Sequence, residues 1–201
     1  MAQITDILVP LEHKFCSFTY CNYVMRPSVA HLVRLITKIR TRNIQNIVIH
    51  NNLIPLPSRY IAITFGRRMS KAHISFQKSM FNKEYLNMND VTYWLEMLCH
   101  ESTHIKQIEK YRFFVFGLLP YLIVSMYYYI KAKSHDKSVL EVEPMERQRH
   151  FIKFNNYLNK HIAPYTLAKL ICDNSLSEKE KIQQINNYFN AFKQSLSEQH
   201  N

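Results

Sequence analysis

A chain of 201 residues, 47% hydrophobic and 13% aromatic, is long enough to bury one sizeable core and is not a disordered tail. Two glycines exclude Rossmann fingerprints, P-loops and other glycine-rich phosphate cradles by counting. The formal charge of +11 is spread as single basic letters and short pairs such as Arg67-Arg68, which reads as a solvated surface rather than a nucleic-acid track. The four cysteines, Cys16, Cys21, Cys99 and Cys172, form no CxxC pair and read as small buried apolar residues, not as a zinc knuckle or redox dithiol. The start, "MAQITDILVPLEHKF", lacks a basic segment followed by an apolar run. The expected location is therefore cytoplasmic, in a reducing compartment, or outside the cell without a classical signal peptide.

In chain order, "SVAHLVRLITKIRTR" (28–42) places Val29, Leu32, Val33, Ile36 and Ile39 at helical spacing behind a candidate Ser28 cap. "IQNIVIHNN" is a short β-branched run. Two further runs, 60–65 and 71–77, linked from Gly66, predict neighbouring strands, most simply a hairpin. "NMNDVTYWLEMLCHESTHIKQIEKYR" predicts a helix capped by Asn89 or Asp90. The uncharged stretch 113–130, "FFVFGLLPYLIVSMYYYI", just reaches the length of a membrane span, but a proline removes a helical hydrogen bond. Gly117 and Pro120 thus predict a break into an apolar hairpin, buried or partly exposed, with membrane-surface contact or a true span as alternatives. Residues 145–160 read as a helix after Pro144, and 165–172 as a short apolar segment. "SEKEKIQQINNYFNAFKQSL" opens with Ser177 and Glu180 as a capping box and carries Ile182, Ile185, Tyr188, Phe189, Phe192 and Leu196 on one core-facing stripe. No repeat or linker divides the chain. The expectation is one domain over 1–201, with a motif-bearing core of about 44–160 and a helix at 177–197 packed on it.

The chemistry sits in "LCHESTHIKQ". Helical residues four apart share a face, so His100 and His104 can aim two imidazoles at one metal ion, while Glu101 lies about 100° round, placed to act as a general base. Trp94, Leu98, Ile105 and Ile108 form an apolar stripe, and Tyr93, Met97, His100, His104, Gln107 and Tyr111 a neighbouring semi-polar one, so the histidines are expected to line a cleft. Zinc needs a third protein ligand, and "LEVEPMERQRH" offers Glu141, Glu143 and Glu146.

HExxH followed some forty residues later by a glutamate resembles the gluzincin branch of the zincin metallopeptidases. Over about residues 60–150, "ITFGRRM", "HISF", "LCHESTHIKQ" and "EPMERQ" resemble compact bacterial gluzincin-like domains, in which a strand precedes HExxHxxQ and a proline two residues before a glutamate opens the third-ligand helix. The resemblance implies an α+β, mostly helical, zincin-like fold with a small sheet whose edge strand lies over the active-site helix. It implies Zn2+ held by His100, His104 and Glu146, with Glu143 and Glu141 as alternatives, Glu101 as catalytic base, and a peptide or protein substrate. Arg149 stands where such helices carry a small residue. For the oxyanion, one of thirteen tyrosines or His73, His135 or His150 are candidates. Two other readings stay open: a catalytically silent scaffold that binds a protein partner, and a membrane-associated protein in which HExxH is accidental.

Overall fold

The computed structural model describes residues 2–11, 22–53, 61–66, 72–110 and 138–198. The segment 113–130, His135, Cys16, Cys21 and Tyr111 lie outside them. The described part is α+β and mostly helical, with five strands: β1 (Leu8–Leu11), β2 (Asn22–Met25), β3 (Ile47–Asn51), β4 (Ala62–Gly66) and β5 (Ala72–Phe76). The helices are α1 (Pro27–Thr37), α2 (Thr41–Ile44), α3 (Met88–Lys110), α4 (Val139–His161), α5 (Thr166–Cys172) and α6 (Glu178–Glu198). None of the helices among the described residues is long and apolar enough to cross a membrane.

The strands form one sheet in the order β1-β2-β3-β5-β4, with β3 and β5 parallel and every other pair antiparallel. The expected hairpin partners are therefore present as β4 and β5, paired from Ala62 opposite Phe76 to Gly66 opposite Ala72, and β4 is an edge strand. Pairing places Ile49, Ile74 and Thr64 on one face of the sheet, because directly opposed residues point the same way. That face looks at α3: Phe76 packs on Trp94 with ring centroids 4.8 Å apart.

Helix α3 carries the core. Trp94, Leu95, Leu98, Cys99 and Ile105 are buried, and the helix packs against the sheet, α1 and α4. Each such apolar side chain contributes roughly 1.5–3 kcal/mol on removal from water. Phe151, Phe154 and Leu158 of α4 meet Phe189 and Phe192 of α6 and Leu167 and Ile171 of α5 in the same core.

Three helix starts differ from the sequence reading. Helix α1 begins at Pro27, whose fixed φ and missing N–H suit a first turn, so Ser28 is not the cap. Its N–H instead donates to Glu178 Oε2 of α6 at 2.7 Å. The cap of α3 is Asn87, whose Oδ1 accepts from Asp90 N at 2.9 Å while Asp90 Oδ2 accepts from Asn87 N at 3.1 Å, a reciprocal box that makes Asp90 its third-residue partner. Helix α4 starts at Val139, not after Pro144: Ser138 Oγ accepts from Leu140 N, and Pro144 lies inside the helix. The Ser177–Glu180 box of α6 is formed as read, with Ser177 N donating to Glu180 Oε2 at 2.7 Å. On its stripe Ile185, Phe189 and Phe192 are buried, and Tyr188 and Leu196 are partly buried against the core.

Candidate metal centre

The early start of α4 decides which glutamate reaches the motif. Starting at Val139 puts Glu141 in the first turn of a helix that packs along α3, and its Oε2 lies 3.3 Å from His100 Nε2 and 3.6 Å from His104 Nε2. His100, His104 and Glu141 thus bring three donor atoms within 4.8 Å of one another, a group that can hold a metal ion. Glu146, the glutamate preferred from the sequence, is exposed on α4 and is not in this group. Five residues after Glu141, it faces about 140° away round the helix and lies about 7.5 Å along it. Glu143 is turned elsewhere, to Lys106 Nζ at 2.6 Å and Arg147 Nη2 at 3.7 Å.

The spacings carry information. A charge-assisted N–H···O bond is typically about 2.7–2.9 Å. Two ligand atoms at about 2.0–2.1 Å from a tetrahedral zinc stand about 3.3–3.4 Å apart. The observed 3.3 and 3.6 Å exceed the first spacing and lie near the second, and the three donor atoms together lie within 4.8 Å of one another. The donor set, two imidazole nitrogens and one carboxylate oxygen, is of the kind zinc accepts, and it leaves a fourth position for water or substrate.

The protonation pattern of the imidazoles is fixed by two glutamine amides. Gln107 Nε2 donates to the Leu140 carbonyl at 2.7 Å, and Gln148 Nε2 donates to Glu96 Oε1 at 2.6 Å. A carbonyl and a carboxylate only accept, so each amide must present its oxygen to the histidine beside it. Gln107 Oε1 stands 3.0 Å from His104 Nδ1, and Gln148 Oε1 stands 3.0 Å from His100 Nδ1. Both Nδ1 atoms therefore carry the proton, and both Nε2 atoms face Glu141. An imidazole whose second nitrogen is held by a hydrogen bond is oriented and made more basic as a ligand. Both amides also span the two helices, Gln107 from α3 to Leu140 of α4 and Gln148 from α4 to Glu96 of α3.

The histidines lie deeper than a cleft wall, at 12% and 9% side-chain exposure, because α4 covers them. For His104, burial opposes the charged form, but the nearby carboxylates of Glu141 and Glu101 outweigh it and push its pKa up to about 8. In the metal-free protein that proton competes with a metal for Nε2. Cys99, beside His100 in sequence, points into the core, and burial drives its thiol pKa far up, so it supplies no thiolate ligand.

Glu101 lies on the sheet side of α3. It is 6% exposed, and its Oε2 accepts from the Thr64 hydroxyl of edge strand β4 at 2.7 Å. The same hydroxyl lies 3.1 Å from the Glu101 carbonyl, so β4 is tied to the motif helix at the residue between the histidines and the sheet. Of the oxyanion candidates, His73 lies on the opposite face of the sheet, 2.8 Å from His50 Nε2, and His150 packs on Phe189 and Phe192. Neither belongs to the group.

Sequence reasoning named His100, Glu101 and His104 and held Glu141 as an alternative. It missed Thr64, Gln148 and Glu96. Only Gln107 had a local signal, its three-residue spacing from His104 on one helical face. No family model, characterised protein or solved structure matches the chain. The class is thus defined by its own geometry: an α+β protein with a mixed five-stranded sheet and a buried two-histidine, one-carboxylate group between its central helices.

Proposed function

We propose that the chain is a zinc-dependent peptidase of the zincin type, with His100, His104 and Glu141 as metal ligands and Glu101 as general base. The observation that carries this is the arrival of Glu141 from α4 at the Nε2 atoms of both motif histidines, with Glu101 beside them facing an edge strand. When bound, zinc with three protein ligands supplies a water of pKa about 7 and polarises a carbonyl oxygen. Glu101, held at Oε2 by Thr64, has Oε1 left to take a proton and return it to the leaving amine. Strand β4 pairs only with β5 among the described residues, which suits an extended peptide that docks by adding to the sheet edge.

Metal analysis of the purified chain tests the site, and cleavage of a quenched-fluorescent peptide library tests the reaction. The expected result is about one zinc per chain, lost in His100→Ala. Glu101→Gln is expected to keep the zinc and abolish cleavage. No metal above background removes the site, and zinc without cleavage by the wild type leaves a metal-holding scaffold in place of a peptidase.

A further inference from the structure

One carbonyl links the proline of α4 to the second histidine of α3. Proline has no N–H, so Pro144 cannot donate to the carbonyl four residues before it, that of Leu140. Gln107 supplies the missing donor through Nε2 at 2.7 Å, while its Oε1 accepts a hydrogen bond from His104 Nδ1–H at 3.0 Å. Gln107 is buried, so little water is at hand to replace it at either end. The residue after Leu140 is Glu141. The amide therefore ties α3 to α4 one residue from the carboxylate that meets the histidines.

We propose that Gln107 is a positioning residue: by binding the carbonyl that Pro144 leaves free, it fixes the setting of α4 at which Glu141 faces His100 and His104. With its other end it holds His104 in the Nδ1–H form, with Nε2 turned to the metal. This rests on the zinc-site reading above. A slide of α4 by one residue moves Glu141 about 1.5 Å and 100° round the axis, which takes its carboxylate away from the histidines. The two ends of the amide have separable roles. Glutamate at 107 keeps an acceptor for His104 but has no donor for Leu140, and leucine keeps neither.

The test uses the full chain, with Zn2+ as the probe, titrated against a chromophoric chelator. It compares Gln107→Leu, Gln107→Glu, Pro144→Ala and the doubles with Pro144→Ala. Gln107→Leu is expected to weaken zinc binding by about 10–100-fold, the range for partners that orient a metal ligand. Gln107→Glu is expected to weaken it too while keeping a slowly exchanging His104 Nδ1 proton in the NMR spectrum of the zinc-loaded chain, which Gln107→Leu loses. Alanine at 144 restores a helical N–H for Leu140, so in that background both Gln107 substitutions should cost less, in zinc affinity and in the Tm of the metal-free chain. Wild-type affinity in Gln107→Glu, or equal losses with and without Pro144→Ala, overturns the proposal. If Gln107→Leu does not fold, Gln107→Glu with and without Pro144→Ala decides the question alone. A wild-type chain that binds no zinc defeats the site reading itself, and the metal-free Tm comparison still shows whether Gln107 and Pro144 are coupled.

Discussion

Conversion of Glu141 to Gln is the sharpest single test of how α4 meets the motif. The carboxylate is 8% exposed and shares Oε2 between two imidazoles, so the amide removes a charged donor without changing its size. Zinc sites of four protein ligands gain about 10–16 kcal/mol on binding at neutral pH, about 2.5–4 kcal/mol per ligand. Loss of one ligand then weakens zinc by a factor on the order of 10²–10³. Glu146→Gln changes an exposed group about 140° round the helix, and Glu143→Gln changes one already paired with Lys106 and Arg147, so each should stay within about threefold of wild type. Competition with a chromophoric chelator measures all three, and circular dichroism checks that each variant is folded. A large loss in Glu146→Gln with near-wild-type binding in Glu141→Gln would refute the setting of α4 and restore the proline-x-glutamate assignment.

Other consequences follow from single contacts. Thr64→Val removes the hydroxyl that donates to the buried Glu101 carboxylate at 2.7 Å, so stability should fall by about 1.5–3 kcal/mol in urea, with zinc affinity nearly unchanged. Equal stability would mean that this contact is not made in solution. Phe154→Ala empties a fully buried site between Phe189 and Phe192 and should cost about 3–5 kcal/mol by the same assay. Asn87→Ala removes the α3 cap and should cost about 1 kcal/mol, whereas Asn89→Ala should be close to neutral. His150 has its pKa lowered by burial and then by Arg147, Lys38, Lys153 and Lys193. The unfolded chain therefore takes up that proton first as pH falls, so stability is lost below about pH 6.5. Relative to His150→Gln, the wild type should lose stability between pH 7.5 and 5.5, and a parallel pH dependence in the two chains would contradict this.

Most of the helical frame and the motif were legible because their signals are local. The stripe and capping box of α6, the alternation of β4 and β5, and the four-residue spacing of His100 and His104 each lie within a few turns or one strand pair. Strands β1 and β2 were not legible: four residues each, one of them interrupted by Pro10, they hold too little pattern apart from the sheet that completes them. The α3 cap was misplaced by two residues because Asn87, Asn89 and Asp90 are all adequate acceptors and geometry chooses among them.

Glu141 was ranked behind Glu146 for a deeper reason. Read alone, "SVLEVEPMERQ" places a helix start at its proline, because an interior proline leaves a carbonyl without a donor and crowds the preceding turn. That argument holds only while the carbonyl has no other partner, and Gln107, 33 residues earlier, provides one at 2.7 Å. With the Leu140 carbonyl satisfied, the helix can begin at the better cap, Ser138, and the glutamate in its first turn becomes the one that faces the histidines. Which glutamate faces the histidines is thus set by a contact between the two segments that neither contains by itself. The glutamine three residues after His104 and the proline three residues after Glu141 are two halves of one geometric instruction.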